Sequence, residues 1–453
     1  MKTKIACTLG PSLSTVEDIV KAVSVGCRIF RINFSHGNPD VWETFAANVR
    51  KAAEKTGENL VLLGDLKGSS VRVKGLEQSI SLNTGERIKF SLDGPIQLPH
   101  PEFFQTVEVG DVLVFDDGRG ILNVVKHNGK SIVAEVARPL TIAPNKSIVI
   151  REKEVEAADY IEASREGIEA AIKLELDYVG LSFVRSGEDI DKVREYLESR
   201  GCRAELIAKI ETPSAVKNID EICVKSDAIL IARGDLGMHF PLELVPRLQK
   251  TIVEAAYNRN RPVIVATQLL GSMVNESVPT RSEIVDVMSC VEDGVDVLML
   301  TAETAVGRYP IESLQWLVKI AETYERAMKP RRSLPPDAEV VDRFALAVVN
   351  LAESLAAKIA IFTMNGNMAR RIARFKPVGG IIAATPNKHV IPRLNLLWGV
   401  TPILIEAKTY SEGIKKLEET LEKTGLAEQG DTFVLTYGLV EEPVHIVKMK
   451  RFK

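Results

Sequence analysis

Cysteine is scarce in this chain and long apolar runs are missing. The 453 residues hold five cysteines, and no uncharged apolar run reaches the roughly 18 residues that a membrane helix needs. Cys7, Cys27, Cys202, Cys223 and Cys290 are odd in number, widely scattered and free of CxxC or CxxH spacing. That pattern excludes a disulfide-stapled scaffold and a thiolate zinc site, and leaves reduced, buried thiols. A surplus of one charge is also missing: 58 Lys+Arg stand against 61 Asp+Glu, a net of -3. Without a global basic field the chain is not built to grip a nucleic-acid backbone, so any phosphate it binds must be held locally. Only six histidines occur, with no Ser-His-Asp or Cys-His arrangement among them, and there is no GxxxxGK[ST] or GxGxxG phosphate loop. MKTKIACTLG carries no signal-peptide architecture, so a cytoplasmic location is expected.

What is present is ordinary globular composition, 45% hydrophobic and 26% charged, in a length that allows about three domains. Short β-rich runs alternate with segments of helical period, the signature of parallel strands joined by crossover helices. KIACTLG is followed by VEDIVKAVSVG, where Val16, Ile19, Val20 and Val23 share one face and Gly26 ends the helix. CRIFRINFS and NLVLLGD are the next strands. After residue 157 come DYVGLSFV, AELIAKIE, DAILIARGD, RPVIVAT and VDVLMLT. Three runs plus five match the alternation of a (β/α)8 barrel of roughly 250 residues, assigned to residues 1–68 and 158–328. Residues 69–157 differ in character, with short strands and turns at Asn-Gly and Asp-Gly. They read as a small β-barrel domain inserted in a barrel loop and acting as a lid. KPRRSLPPDAEVVD, residues 329–342, reads as a linker, and residues 343–453 alternate helix and strand again as a three-layer α/β domain.

Barrel strands are covered on both sides and should be apolar, so polar residues at their C-terminal ends require a reason. Arg31, Asn33 and Ser35 alternate on one face of the second strand; the third ends in Asp65, soon followed by Lys67 and Arg72. The fifth ends Lys209-Ile210-Glu211, the sixth Arg233-Gly234-Asp235, the seventh Thr267-Gln268. Any one of these reads as a salt bridge or a helix cap. Together they converge on one barrel face, and buried charge there costs several kcal/mol unless paired or metal-bound. Glu211 and Asp235 are two hard oxygen ligands suited to Mg2+. Arg31, Arg72 and Lys209 supply the positive charge that a transferring phosphoryl group needs, and Gly234 lets backbone N–H groups approach an anion such as a substrate carboxylate.

KIACTLGPS, RINFSHG, GDLKGSSVR, IAKIETPSAVKNIDEI, IARGDLGM, VATQLLGSM, PTRSEIVDV and MLTAETAVGRYP together resemble the pyruvate kinase family, in the family's order across nearly the whole barrel. The resemblance implies phosphoryl transfer from phosphoenolpyruvate to ADP, giving pyruvate and ATP in glycolysis, with the inserted domain closing over the site. It implies Mg2+ (or Mn2+) on Glu211 and Asp235, Lys209 stabilising the phosphoryl in flight, and Arg31 and Arg72 holding phosphate oxygens. It places the substrate carboxylate at the backbone of Arg233, Gly234 and Asp235, Thr267 in proton delivery to the enolate, and the nucleotide near Asn33, His36 and Arg72. Asn33, Ser35, Asp65 and the Leu66 carbonyl match the family's monovalent-cation ligands. Ser70, however, stands where the family carries a glutamate associated with K+ dependence, so weak or absent K+ activation is expected.

In the third domain TMNGNMARRIARF places Thr363, Asn365, Gly366 and Asn367 before a helix bearing Arg370 and Arg371. The equivalent loop in the family binds a phosphorylated effector. Thr363 alone remains of the family's serines and threonines, and the last glycine-rich loop is reduced to TYGLVEEPV. A sugar bisphosphate effector is therefore not expected, whereas a smaller phosphorylated metabolite is compatible. The resemblance further implies a homotetramer. Two other readings are a Mg-dependent lyase acting on pyruvate or its enolate and a catalytically silent metabolite sensor. Lys209, Arg31 and Arg72 together favour phosphoryl transfer over the first, and the intact set of Lys209, Glu211, Asp235 and Thr267 argues against the second.

Overall fold

The computed structural model describes residues 1–68, 70–155, 160–328, 332–438 and 445–452. The expected domain boundaries at 69 and 157–158, the first linker residues 329–331 and most of the reduced loop in TYGLVEEPV lie outside the described residues.

Eight parallel strands close into a barrel in chain order: Lys4–Thr8, Cys27–Asn33, Val61–Asp65, Tyr178–Leu181, Glu205–Ile210, Ala228–Ala232, Val263–Ala266 and Val297–Leu300. All eight are the runs read from the sequence. The helices between them follow local rules. In Val16–Val25 the Thr15 side chain accepts from the Asp18 N–H, Ile19 and Val23 are buried, and Gly26 at φ 114° closes the end in a conformation open to glycine. Helix Arg281–Asp293 starts with a capping box between Thr280 and Glu283.

The barrel interior explains where the chemistry sits. Ile29, Val61, Leu63, Ile207, Leu230, Ile264 and Val297 fill its lower part. With a side-chain period of two, the same inward rows continue upward as Arg31 and Asn33 after Ile29, Asp65 after Leu63, and Lys209 and Glu211 after Ile207. The plug is apolar below and ionic above, at the face where barrel strands end.

The insert forms a five-stranded antiparallel sheet, Val149–Ile150, Val112–Phe115, Gly120–His127, Ser131–Arg138 and Arg87–Ser91 in spatial order, with a two-stranded ladder of Ile80–Leu82 and Leu140–Ile142 beside it. Its core gathers Phe90, Phe103, Phe104 and Phe115. Among the described residues the small β-barrel expected for it is an open arrangement, a five-stranded sheet with the two ladder strands paired to each other beside it. Its tip, Asp116–Gly118, packs on the barrel: a Cβ at Gly118 would stand 2.6 Å from the Gly237 carbonyl oxygen.

The third domain is a five-stranded sheet, Val400–Leu404, Ile381–Thr385, Lys358–Phe362, Thr432–Gly438 and antiparallel His445–Arg451. Separate apolar clusters cover its two faces, one with helix Val340–Ser354 and one with helix Tyr410–Lys423, so the three-layer expectation holds. The domain docks under the barrel. Lys376 pairs with buried Asp296, Lys4 Nζ donates to the Val400 carbonyl at 2.6 Å, and Asn395 Nδ2 donates to that of Asn59 at 2.9 Å. Among the described residues no helix is long and apolar enough to cross a membrane.

Candidate active site

A cavity of about 200 Å3 opens where the barrel strands end. Its lining includes Arg31, Asn33, Ser35, His36, Asp65, Leu66, Arg72, Lys209, Glu211 and Asp235. A larger cavity of about 490 Å3 lies below the barrel against the third domain, away from these residues. The chemistry of the lining singles out the smaller one.

Asp65 is the hub. Its Oδ2 accepts from Arg31 Nε and pairs with Arg31 Nη2, both at 2.7 Å, and its Oδ1 stands 3.2 Å from Lys209 Nζ. Burial alone would raise the Asp65 carboxyl, but Lys209 and Arg31 hold it below the usual range. Arg31 is fixed from its other side by donating Nη1 to Thr8 Oγ1 at 3.0 Å. Lys209 donates to Ser182 Oγ at 2.7 Å, and that hydroxyl donates to the Leu66 carbonyl at 2.8 Å. Burial would lower the Lys209 ammonium, yet Asp65, Glu211 and Asp235 outweigh it and push it up to about 12. Lys209 therefore keeps its charge at any working pH.

Glu211 is 1% exposed. Its Oε1 accepts from the Phe183 N–H at 2.6 Å, while Oε2 has no donor within hydrogen-bond reach and faces Lys209 Nζ at 3.6 Å. Burial first, and the neighbouring Asp235 and Asp65 carboxylates after it, raise Glu211 to about 8 against the pull of Lys209. Asp235 is raised as well, by burial and by the Asp117 and Asp65 charges. Two adjacent carboxyls that resist ionisation, one with an orphaned buried oxygen, fit a divalent cation as the missing partner. Among the described residues no group of three His, Cys, Asp or Glu could hold a metal; the residues present here offer one pair of carboxylates.

The Gly234 N–H donates to Thr267 Oγ1 at 2.9 Å. Thr267 and Gln268 both sit in the left-handed region, at φ 67° and 55°, which costs about 1–3 kcal/mol each for non-glycine residues. Arg233 holds this turn. Its guanidinium donates to the carbonyls of Thr267 at 3.1 Å and Gln268 at 2.8 Å and pairs with Asp286 at 2.7 Å. The Arg233 side chain is thus committed to the turn, leaving only its backbone for a ligand. Arg72 donates Nε to Ser70 Oγ at 3.0 Å and Nη1 to the Asn145 carbonyl of the insert at 3.1 Å. His36 is exposed at the rim.

The monovalent-cation set is already engaged: Asn33 Oδ1 accepts from the Ser35 N–H, Asp65 carries two cationic side chains, and the Leu66 carbonyl takes the Ser182 hydroxyl. Thr363, Asn365, Gly366, Asn367 and Arg370 do come together, but in the third domain beneath the barrel, where Thr363 Oγ1 accepts from the Gly366 N–H at 2.9 Å. Sequence reasoning missed Thr8 and Ser182, which also end barrel strands or follow them directly, so the same polar-end criterion applied to all eight strands finds them. Asp117 carried no such signal. Its Oδ1 lies 3.3 Å from the Cβ position of Gly234, because Asp116, Asp117 and Gly118 all adopt positive φ and turn the insert's tip into the site.

A closed parallel barrel with a carboxylate pair, a permanently charged lysine and an anchored arginine at its strand ends defines a phosphotransferase type of centre. The family model "Pyruvate kinase, barrel domain" matches residues 1–314, and "Pyruvate kinase, alpha/beta domain" matches residues 342–445. The chain is 35% identical to the pyruvate kinase of Aeropyrum pernix, covering 99% of each, and 37% identical to that of Pyrobaculum aerophilum, covering 99% of this chain and 96% of the relative. The crystal structure of pyruvate kinase from Pyrobaculum aerophilum superposes with a TM-score of 0.89 at 36% identity over 99% of both chains. The chain belongs to the pyruvate kinase family.

Proposed function

We propose that phosphoenolpyruvate and ADP meet in the cavity around Lys209 and that each residue there has a definable task. The observation that carries this reading is the Lys209 ammonium, held between Asp65 and Glu211 and charged across the working pH range. Such a group cannot serve as a proton donor; it serves as fixed positive charge beside a phosphoryl in flight. Arg31, immobilised by Asp65 and Thr8, offers its remaining donor capacity to phosphate oxygens, and Arg72 at the insert's hinge joins it when the lid is down.

Glu211 and Asp235 would hold Mg2+ or Mn2+, which when bound supplies charge neutralisation for substrate oxygens. The substrate carboxylate meets the backbone around Gly234 and Asp235. Thr267 accepts a hydrogen bond from the Gly234 N–H, which leaves its own hydroxyl proton free to pass, directly or through water, to the enolate carbon. Protonation at carbon makes the transfer run downhill, so positioning of that hydroxyl by Arg233 matters as much as the charge around Lys209. Asn33, His36 and Arg72 face the nucleotide. K+ is not required, because Asp65 is already neutralised by Arg31 and Lys209. Assembly as a homotetramer, a cytoplasmic setting and a small phosphorylated effector at the Thr363–Asn367 loop follow from family membership as expectations.

Pyruvate and ATP measured in parallel from phosphoenolpyruvate, ADP and Mg2+ test the reading. Equal yields are expected. Formation of neither product would fit the lyase or the silent sensor, and Mg2+-dependent release of pyruvate from a 4-hydroxy-2-oxo acid would single out the lyase.

A further inference from the structure

The fifth barrel strand, Glu205–Ile210, carries Lys209 near its upper end and is followed directly by Glu211; its lower end, Glu205, is gripped by the third domain. Arg393, on the short helix Ile391–Asn395, donates Nε to Glu205 Oε1 at 2.6 Å, and its Nη2 reaches the same oxygen. The Nη1 of that guanidinium donates to the Asn365 carbonyl at 3.3 Å, inside the Thr363–Asn367 loop. Gly366 of that loop packs on the same segment, its Cβ position 3.3 Å from Val390 and 3.6 Å from Leu394. On the barrel side Glu205 and Asp227 line one small cavity together with Arg393 and the Asn365–Asn367 segment. Asp227 is pinned by the Leu206 N–H and by Arg194 Nη2, both at 2.9 Å.

We propose that Glu205, Asp227 and Arg393 form a proton-operated joint that couples the Thr363–Asn367 loop of the third domain to the catalytic end of the fifth strand. Two carboxyls that line one small cavity between the domains disfavour ionising together, so one of them tends to hold a proton. With that proton on Glu205, Arg393 grips a neutral acid and the loop is held loosely. With it gone, Arg393 closes a charge-assisted bond and the loop is tied to the six-residue strand that leads to Lys209 and Glu211. Burial and Asp227 place the loss of this proton from Glu205 at about 7, against the pull of Arg393. The other groups facing the pair are Tyr178 of the fourth strand, Arg194 on helix Gly187–Ser199, Arg261 ahead of the seventh strand and Arg370 on helix Asn367–Ala373. None of these changes charge near neutrality by its chemistry. Asp177, whose carbonyl accepts from the Glu205 N–H, is raised by burial only to about 6 and its carboxylate is held by the Leu62 N–H, so the switch near 7 belongs to the carboxyl pair. In the folded state the acid is raised above its ordinary 4.5; the loose form therefore prevails below about pH 7 and the tied form above it.

The inference rests on the assignment of Lys209 and Glu211 to the reaction, and its test has one arm that does not. Full-length wild type and Glu205→Gln are compared from about pH 6 to 8 by amide exchange of the peptide spanning residues 363–367, corrected for intrinsic rates, and by half-saturation for phosphoenolpyruvate. Wild type is expected to lose about threefold in loop protection and in apparent affinity as pH falls through about 7, with kcat little changed. Glu205→Gln should flatten both curves. An inflection that persists in Glu205→Gln overturns the proposal. Loop protection that responds to pH while half-saturation does not overturns the coupling to catalysis. A failure of the assigned chemistry would appear as absent turnover, with the exchange arm still readable. Should Glu205→Gln not fold, Asp227→Asn removes the same shared proton, and Arg393→Lys, which keeps the charge but not the fork, should retain the pH response at weaker protection.

Discussion

Replacing Glu211 by glutamine should make the metal-free protein more stable, an unusual outcome for a buried site residue. Folding raises this carboxyl from its ordinary 4.5 to about 8. A raised acid is favoured protonated in the fold, so ionising it at higher pH works against folding. The loss begins above the unfolded value near 4.5 and is complete once pH passes about 8. At about 1.36 kcal/mol per pH unit it passes about 3 kcal/mol by pH 7 and reaches about 5 kcal/mol above pH 8. Coupling to Asp235 and Lys209 makes about 2–4 kcal/mol a realistic range at pH 8.5. Glutamine keeps the acceptor for the Phe183 N–H and replaces the orphaned Oε2 with an uncharged NH2; against this, that NH2 stands beside the Lys209 ammonium, which loses one of its two carboxylate neighbours. Urea unfolding of both proteins in EDTA, at pH values from about 6 to 9, measures the difference. Wild type should lose stability as pH rises and Glu211→Gln should not, while Mn2+ should stabilise wild type alone. A wild-type stability that is flat with pH, or a variant less stable than wild type at pH 8.5 without metal, would refute the reasoning.

Thr267→Val should strand the Gly234 N–H and remove the donor hydroxyl, lowering turnover by about 10²–10⁴-fold and slowing solvent proton exchange into pyruvate, with Thr267→Ser recovering most of both; full activity in the valine variant removes Thr267 from proton delivery. Adding K+ over a tetramethylammonium control should change the rate less than twofold, since Arg31 and Lys209 already neutralise Asp65; strong stimulation would show that a cation enters there regardless. Gly118→Ala puts a methyl 2.6 Å from the Gly237 carbonyl, at a residue of positive φ, so the insert's tip cannot seat and half-saturation for substrates should rise about tenfold with stability changed by about 1–2 kcal/mol; unchanged kinetics would mean that closure does not use this contact.

The barrel was legible because its strands are short, apolar and separated by helices with their own caps, so period and punctuation agree along the chain. The site was legible for the opposite reason: Arg31, Asp65, Lys209 and Glu211 break an apolar pattern that nothing else explains. What escaped were contacts whose meaning lies only in space. Arg233 looks like a substrate residue beside Asp235, yet its guanidinium fastens the turn at Thr267 and Gln268. Asp117 lies in an ordinary Asp-Asp-Gly turn, and only the docking of that turn against Gly234 and Gly237 brings its charge to the site. Glu205 begins a strand as a polar residue commonly does; its tie to Arg393, 188 residues away, has no sequence signature.

If Lys209 acts as fixed charge for phosphoryl transfer, its replacement by methionine must remove turnover without removing the fold. ATP formation from phosphoenolpyruvate, ADP and Mg2+ should fall at least 10²–10³-fold, while the fold persists because Arg31 still neutralises Asp65 and Glu211 can take a proton. A folded Lys209→Met protein that makes ATP within tenfold of the wild-type rate would contradict the account.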